Sequence, residues 1–593
     1  MRYFPRVTTV IHSPVLSLTG ARWASIDASS ALPDDEVRAL ANQLGLSLPA
    51  ARVLALRLGD ATERAADWLK PSLDHFHNPW AMLNMERAVE RLRRALFDRQ
   101  RIRVVTDYDV DGTTSSLILQ AVIKLMGPDV VLDYHIPNRF GEGYGFSVAA
   151  AKKAAEDGVD LIVTADIGVR DHAAIAEAGN AGIEVLVCDH HLPKGAAVPE
   201  GATVLCPPQE GCAYPNGALA ACGVSFKVAE ALLGEHPKRD AILRSMLKLA
   251  AIGTVADMVP LDTLENRAIV TLGLEALNVD HHHAGLAELI GVADLSNREI
   301  RPTDLGFRLG PRINAAGRIA DANLVVELLT TRDVDEAKRL ARKLDGLNAE
   351  RKDIQRRLVE EALEELGDSP PAFVVLSGRE EHGWHRGVVG IVAARVKDEV
   401  HRPTAIVSIQ GDLAVGSVRS VPEVHAVRAL DQASDLLLKY GGHPAAAGFT
   451  VRTDDLPEFE QRLITYVEGA LGNHELRPEH EYDAILSIDD ISQGLTNELR
   501  QLGPFGMKNR EPVFLIEAVR PYDFEVKGKQ ENILKFKVRA GEGPAIEAIW
   551  WDQAERIDTL RDQIVDLLAH VEENVWRGVR RLQLRIVDAR RID

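Results

Sequence analysis

Asp107, Asp109 and Asp111 stand at alternate positions directly after the apolar run Ile102-Arg103-Val104-Val105. In an extended strand, alternate residues share a face. Three like charges there repel one another unless a cation sits among them or the chain turns and splays them. Gly112-Thr113-Thr114-Ser115-Ser116 predicts that turn, and Leu117 to Met126 reads as the helix after it. The acids then lie at the carboxyl end of a buried strand, the ordinary ligand position of an open α/β sheet.

Two more strand-like runs end in the same chemistry. Leu161-Ile162-Val163 leads into Thr164-Ala165-Asp166-Ile167-Gly168, and Val185-Leu186-Val187 leads into Cys188-Asp189-His190-His191. With the run Val130-Val131-Leu132, and Ala-rich helical stretches at Val148 to Glu156 and Ala173 to Ala178, residues 101 to about 260 alternate β and α. That pattern predicts a parallel sheet covered on both faces, which sets the carboxyl ends of its strands side by side. Asp257, in Ala256-Asp257-Met258, is a fourth contributor with a weaker local signal. The first acids also fit the opening of a calcium loop, but Ile118 stands where such a loop closes with Glu. Carboxylates and imidazoles without thiolate suit Mn²⁺ or Mg²⁺ better than zinc. Bridging carboxylates with one or two imidazoles can hold two ions about 3.5–4 Å apart, an arrangement that activates water against a phosphoryl group. The reaction class is hydrolytic phosphoryl transfer.

At 593 residues, three to four domains are expected. Hydrophobic residues at 46% and charged residues at 26% describe a globular chain. No run approaches 18 consecutive apolar residues, so no membrane span is predicted, and residues 1–30 do not read as a secretory signal. The four cysteines, Cys188, Cys206, Cys212 and Cys222, form no CxxC pair. Free thiols in a reducing cytoplasm are the expectation. A net charge of −19 excludes a chain that coats nucleic acid by bulk electrostatics, but not one with a local basic groove.

Beyond the acids, Arg301, Arg308, Arg312, Asn314 and Arg318 lie among glycines. Val334 to Leu366 is helical, charged and partly apolar, which predicts a bridging helix between two lobes. After Gly367-Asp368-Ser369-Pro370-Pro371, strand-like runs at Phe373 to Leu376, Thr404 to Ile409 and Val415 to Val418 predict a second α/β lobe. Gly441-Gly442-His443 with Gly448 reads as a Gly-rich loop that admits an anion close to the backbone. A cleft between two lobes admits one strand and excludes a duplex. In the tail, Leu534, Phe536 and Val538 alternate with Lys535, Lys537 and Arg539, and Leu582, Leu584 and Ile586 alternate similarly. A small basic β-barrel of OB type is expected, with Trp576, Tyr522 or Phe536 as candidate stacking residues and core packing the default for Phe536. Asp280-His281-His282-His283 repeats an acid–imidazole string, but a helix-like run precedes it, so it reads as a polar helix end.

The set Asp107-Tyr108-Asp109-Val110-Asp111-Gly112, Asp166, Asp189-His190-His191 and Asp257 resembles the DHH phosphoesterase superfamily. Pro137-Asn138-Arg139-Phe140 with Gly143-Tyr144-Gly145, Arg312 to Arg318, Trp384 to Ile391, Gly441 to Phe449 and Gly503 to Met507 narrow the likeness to the RecJ exonucleases. It covers residue 68 to the C-terminus. The resemblance implies a 5′→3′ exonuclease on single-stranded DNA, releasing 5′-mononucleotides in DNA repair and recombination. It implies Asp109, Asp111, Asp166, His190 and Asp257 as ligands of two ions, with Asp166 bridging. Asp107 would be a ligand or support one, and His191 would stand beside the scissile phosphate, supporting the ligands or donating a proton. Substrate phosphates would meet Arg312, Asn314, Arg318, Gly442 and His443, with Ser417, Arg419, His385 and Arg386 as weaker candidates for the same groove. A helicase and a single-strand-binding protein are implied partners, and a monomer is expected. Where the family often has Gly-Asn-Pro, this chain has Lys508-Asn509-Arg510, which puts the backbone of that loop in question.

The implied organisation is an N-terminal extension (1–67), a DHH catalytic domain (68–333), a connecting helix (334–366), a DHHA1-like substrate-binding domain (367–472) and an OB-like domain (473–593). The alternative is a DHH-type phosphodiesterase acting on short oligoribonucleotides or cyclic dinucleotides. The basic β-rich tail separates the two readings, because such relatives are usually shorter and lack it.

Overall fold

The aliphatic runs that end in acids form strands because both their faces are buried. Arg101–Thr106, Val131–His135, Leu161–Ala165, Glu184–Cys188 and Ala202–Leu205 make one sheet, parallel throughout. In chain order its strands lie 2-1-3-4-5. Val104, Val163 and Leu186 pack on one face against the helices Met85–Phe97, Val110–Met126 and Ala221–Leu233. Val105, Ile162 and Val187 pack on the other against Ala151, Ala154 and Ile175. The strand order reverses between the first and third strands, which opens a crevice at their carboxyl ends. The computed structural model describes every residue except 1–15, 27–31, 194, 196, 280, 473, 529, 540–542, 577–578 and 593, and omits the side chains of 575 and 576.

One local expectation needs correcting. The helix begins at Val110, not Leu117, and Asp109 is its N-cap, accepting from the Gly112 N–H at 3.0 Å. Gly112 to Ser116 form the helix's first turns rather than a loop. Their weak propensity is overridden by burial and by the cap. A Cβ on Gly112 would stand 2.4 Å from the Asp107 carbonyl oxygen, so only glycine permits so tight a strand-to-helix turn.

The helix Val334–Leu366 spans about 50 Å at 1.5 Å per residue. Its first half, through Leu340 and Leu344, belongs to a core with Leu289, Leu309 and Leu328. Its second half, through Leu358 and Ala362, packs with Val374, Val389 and Val392. The second lobe is a five-stranded mixed sheet in which Val374–Arg379 and Thr404–Gln410 are parallel and the other pairings antiparallel. There the Gly441–Gly442–His443 stretch is not a loop. It is the end of the strand Leu437–His443, paired antiparallel with Ala446–Arg452. Gly442 has φ +156°, and a Cβ there would meet the Ala446 carbonyl oxygen at 2.3 Å.

The C-terminal module is a seven-stranded sheet that begins at Ala484–Ile485 and ends with the long strands Val565–Trp576 and Val579–Arg591. Leu534, Phe536 and Val538 point into its core while Lys535 and Lys537 remain partly exposed. Phe536 is buried beside Phe524, so it packs rather than stacks on a substrate. The Arg539 guanidinium lies over the Tyr522 ring at 5.3 Å. The Trp576 side chain and Arg577 lie outside the described residues.

Residues 16–67 are not a separate appendage. Arg22–Ser25 pairs in parallel with Glu479–Tyr482, and the helices Asp34–Leu44 and Leu48–Leu58 share one core with the C-terminal sheet. Trp23 Nε1 donates to Asp588 at 2.9 Å, and Arg57 pairs with buried Asp483 at 2.6 Å. Buried Arg267 ties this double module to the lobe of the parallel sheet. It donates to the carbonyls of Trp68 and Leu502 at 2.9 and 3.2 Å and to that of Gly503, with its guanidinium 3.9 Å from the Trp68 ring centroid. In the adjoining loop Lys508 has φ +59°, a left-handed conformation where the family often places glycine. Asn509 holds the loop regardless, donating to Leu502 and Pro504 carbonyls.

Candidate active site

The crevice at the carboxyl ends of the strands gathers acids from four segments. Asp107 follows the first strand and Asp109 caps the helix after it. Asp111, in the first turn of that helix, accepts from the backbone N–H groups of Ala221 and Cys222 at 2.7 and 2.9 Å. The start of the helix Ala221–Leu233 thus holds this carboxylate in place. Asp166 follows the third strand with φ +63°. His190 and His191 follow the fourth, and Asp257 ends the helix Arg239–Ala256.

These side chains converge. His190 Nε2 lies 3.2 Å from Asp166, 3.6 Å from Asp257 and 3.9 Å from Asp111. Among the described residues, three groups have ligand atoms within 4.8 Å of one another: Asp166–His190–His191, Asp111–His190–Asp257 and Asp107–Asp109–Asp166. Asp166 and His190 each belong to two of them. Asp107 Oδ1, Asp166 Oδ1 and His190 Nε2 are buried and make no hydrogen bond. Buried polar atoms are ordinarily paired, so these orphans, all oxygen or imidazole donors, fit divalent ions.

The electrostatics agree. Burial, then the charge of Asp109, raises the Asp107 carboxyl well above the usual carboxylate range. Burial and the neighbouring acids do the same to Asp166 and raise Asp109. Burial, with Asp111 and Asp109, pushes Asp257 up to about 9. So many carboxylates cannot all ionise together without positive charge among them. Burial also lowers the His190 imidazole, which keeps a free lone pair for a ligand bond.

Two residues without a role assigned from sequence complete this half of the site. Asp189 is buried, and its Oδ1 accepts from His191 Nδ1 at 2.8 Å and from the His190 and His191 backbone. Its Oδ2 accepts from the Val169 N–H at 3.0 Å. Burial would raise its carboxyl, but the His191 hydrogen bond and charge, with these N–H groups, hold it below the ordinary value. The Asp189 bond leaves His191 Nε2 facing outward, 3.4 Å from the hydroxyl of the second such residue, Tyr144.

Arginines face the acids from the second half of the cleft. Arg318 is pushed down to about 10 by burial, then by the charges of Arg139, Arg351 and Arg419 around it. The guanidinium groups around Arg318 concentrate positive charge near Asp109, where an anion would be favoured. Arg419 donates to Ser417 at 2.8 Å, and it is one of the charges that lower His443 after burial. Asn314 lies one helical turn before Arg318, on the same face. Arg386 donates to the Phe140 carbonyl, and the Phe140 ring meets His385 edge-on at 5.2 Å. Neither Arg139 nor Arg351 has a role legible in the sequence. Arg139 lies in the loop after the second strand, and Arg351 on the connecting helix is indistinguishable from its solvated neighbours.

Arg312 is the exception. It donates to Asp345 at 2.9 Å and to the carbonyls of Arg308 and Val292. Each of its three nitrogens is engaged in bracing Asp345 of the connecting helix or a backbone carbonyl, which counts against phosphate binding. The second acid–imidazole string takes no part in the cluster. His283 caps the helix Ala284–Val292, His281 and His282 meet Lys248, and Asp280 lies outside the described residues. The four cysteines are free thiols.

Comparison with known proteins gives a consistent picture. Residues 101–254 match the DHH family, N-terminal domain, residues 371–469 the DHHA1 domain, and residues 482–588 the RecJ OB domain. The chain is 36% identical over 571 residues to the single-stranded-DNA-specific exonuclease RecJ of Bacillus subtilis, covering 94% of this chain and 70% of that one. It is 36% identical over 540 residues to the protein of the same name from Escherichia coli, covering 86% and 91%. The crystal structure of RecJ with Mn²⁺ from Thermus thermophilus superposes with a TM-score of 0.80 at 30% identity, covering 95% of this chain and 79% of that one. The corresponding Mg²⁺ complex superposes at 0.74.

Proposed function

Because the chain belongs to the RecJ family of single-stranded-DNA-specific exonucleases, we propose that its crevice hydrolyses phosphodiester bonds of single-stranded DNA, 5′→3′, to 5′-mononucleotides, in DNA repair and recombination. The observation that carries this reading is the set of orphaned ligand atoms on Asp107, Asp166 and His190, facing the arginine cluster. Asp109, Asp111, Asp166, His190 and Asp257 would hold two divalent ions, Mn²⁺ or Mg²⁺, with Asp107 in support. When bound, such ions activate a water and neutralise charge on the phosphoryl oxygens.

The remaining work falls to side chains. Asp189 accepts from His191 Nδ1–H and stabilises the imidazolium, whose Nε2–H can pass a proton to the leaving oxygen. Arg318, Arg419, Asn314, Ser417, Gly442 and His443 bind substrate phosphate, joined by Arg139 and Arg351. Both clusters are built within one chain, which supports action as a monomer. A cleft that excludes duplex requires another protein to open the helix, which supports a helicase partner. Long exposed strands in a cell are coated, which supports work beside a single-strand-binding protein. Among the described residues no single helix is long and apolar enough to cross a membrane, and the buried free thiols support a reducing cytoplasm.

The test is digestion of 5′- and 3′-labelled single strands with Mn²⁺ or Mg²⁺, with RNA and duplex controls. The 5′ label should appear at once as mononucleotide, while the 3′ label persists on shortening strands. Release of the 3′ label first would reject the polarity, and cleavage of RNA dinucleotides alone would favour the oligoribonucleotide alternative.

A further inference from the structure

Between the catalytic lobe and the C-terminal module lies a cavity of about 1480 Å³, larger than a small-molecule pocket. Its lining includes Ala256 and Met258, the residues on either side of the candidate ligand Asp257. Met258 and Phe307 stand on its catalytic wall, and Phe505, Glu572 and Arg585 on the opposite one. Phe307 is 78% exposed and Met258 62% exposed, although both sit beside well-packed apolar residues. Both are held out by uncommon backbone. Met258 has φ +56°, and Phe307 projects from Leu305–Leu309, a π-helical turn. Such turns cost free energy and are frequent at functional positions. This turn is pressed on the end of the helix that carries Asp257, since a Cβ on Gly306 would meet Val255 and one on Gly310 would meet Ala256.

Resting on the exonuclease reading, we propose that Phe307 and Met258 form a step against which one nucleobase of the strand stacks, just 3′ of the bond being cut. The facing arginines indicate why a base, rather than a phosphate, is gripped here. Arg585 pairs with Glu511 and Glu572, and Arg500 with Glu573. Those walls are charge-compensated, so they attract a phosphate chain only weakly, whereas an aromatic face holds any base without regard to sequence. The step keeps the strand in register while the terminal nucleotide leaves.

The experiment pairs the side chain with its base. Single strands carrying one abasic residue, scanned from the 5′ end, are cut by the wild type, Phe307→Ala, Phe307→Trp and Met258→Ala, and binding is read in parallel without divalent ions. The wild type should show one position where loss of the base weakens binding and raises KM about tenfold, the stacking worth of one base. Phe307→Ala should show the same loss on intact strands and no further loss at that position, with an unchanged salt dependence. Phe307→Trp should restore the wild-type profile. A flat scan in the wild type, or the same dip in Phe307→Ala and Met258→Ala, overturns the step while leaving the nuclease standing. Absence of cleavage by the wild type, with the binding dip intact, overturns the nuclease reading instead.

Discussion

His190 Nε2 lies 3.2 Å from Asp166 Oδ1, and neither atom makes a hydrogen bond. Both belong to two of the three ligand groups, so the two residues join what would otherwise be separate sites. Replacing either with Ala should lower Mn²⁺-dependent cleavage by more than about 100-fold, beyond the usual effect of residues that only support ligands. Asp166→Ala should also stabilise the metal-free protein, because it removes one of several repelling carboxylates. Retained turnover, measured at saturating Mn²⁺, rejects the ligand assignment.

Asp257 makes the metal-free protein sensitive to alkali. Its folded value, about 9, lies above its ordinary 3.8. The fold therefore favours the protonated acid. That stabilisation is fully present below about 3.8 and is lost as pH rises through about 9. Thermal unfolding in chelator should show the wild type losing stability relative to Asp257→Asn from pH 5 to 9, and Mn²⁺ should close the gap. A difference that does not vary with pH counts against a buried, raised carboxyl.

Asp189→Asn should leave Mn²⁺ affinity nearly intact and lower kcat by about 100-fold or more, since a neutral amide no longer stabilises the His191 imidazolium. Titrating Mn²⁺ against both rate and ion binding separates the two effects. Equal loss of both would make Asp189 a support for the ions rather than for His191.

Arg318→Ala and Arg351→Ala should each lower kcat/KM about tenfold or more, the worth of a charged hydrogen bond to phosphate. Arg312→Ala should instead lower stability by about 2 kcal/mol and leave KM for single strands unchanged, because its bonds go to Asp345 and backbone carbonyls. Kinetics and denaturant unfolding of the three variants distinguish the groups. An Arg312→Ala enzyme with normal stability and raised KM would return that residue to the substrate.

Removal of residues 479–593 should not leave an intact remainder. The helices Asp34–Leu44 and Leu48–Leu58 would lose their core partner, and Arg267 its Leu502 and Gly503 carbonyls. A chain lacking both 1–67 and 479–593 should therefore be more soluble and melt higher than one lacking 479–593 alone. The reverse order would show that the N-terminal helices fold without the barrel.

The convergence of the candidate acids was legible in the sequence because their positions follow from local order. A strand pattern, then acid or imidazole at its end, needs only the rule that parallel strands share a direction to bring Asp109, Asp166 and His190 to one edge. The connecting helix was legible for the same reason, its 3.6-residue periodicity being a property of adjacent residues. Tertiary structure decided what depends on distant partners. Whether Gly112 to Ser116 turn or coil into helix rests on burial against other segments. Arg351 and Arg312 look alike in the sequence, yet the charge of one acts on Arg318 while the other pairs with Asp345. The pairing of Arg22–Ser25 with Glu479–Tyr482 joins segments more than four hundred residues apart, and no local pattern carries information over that separation.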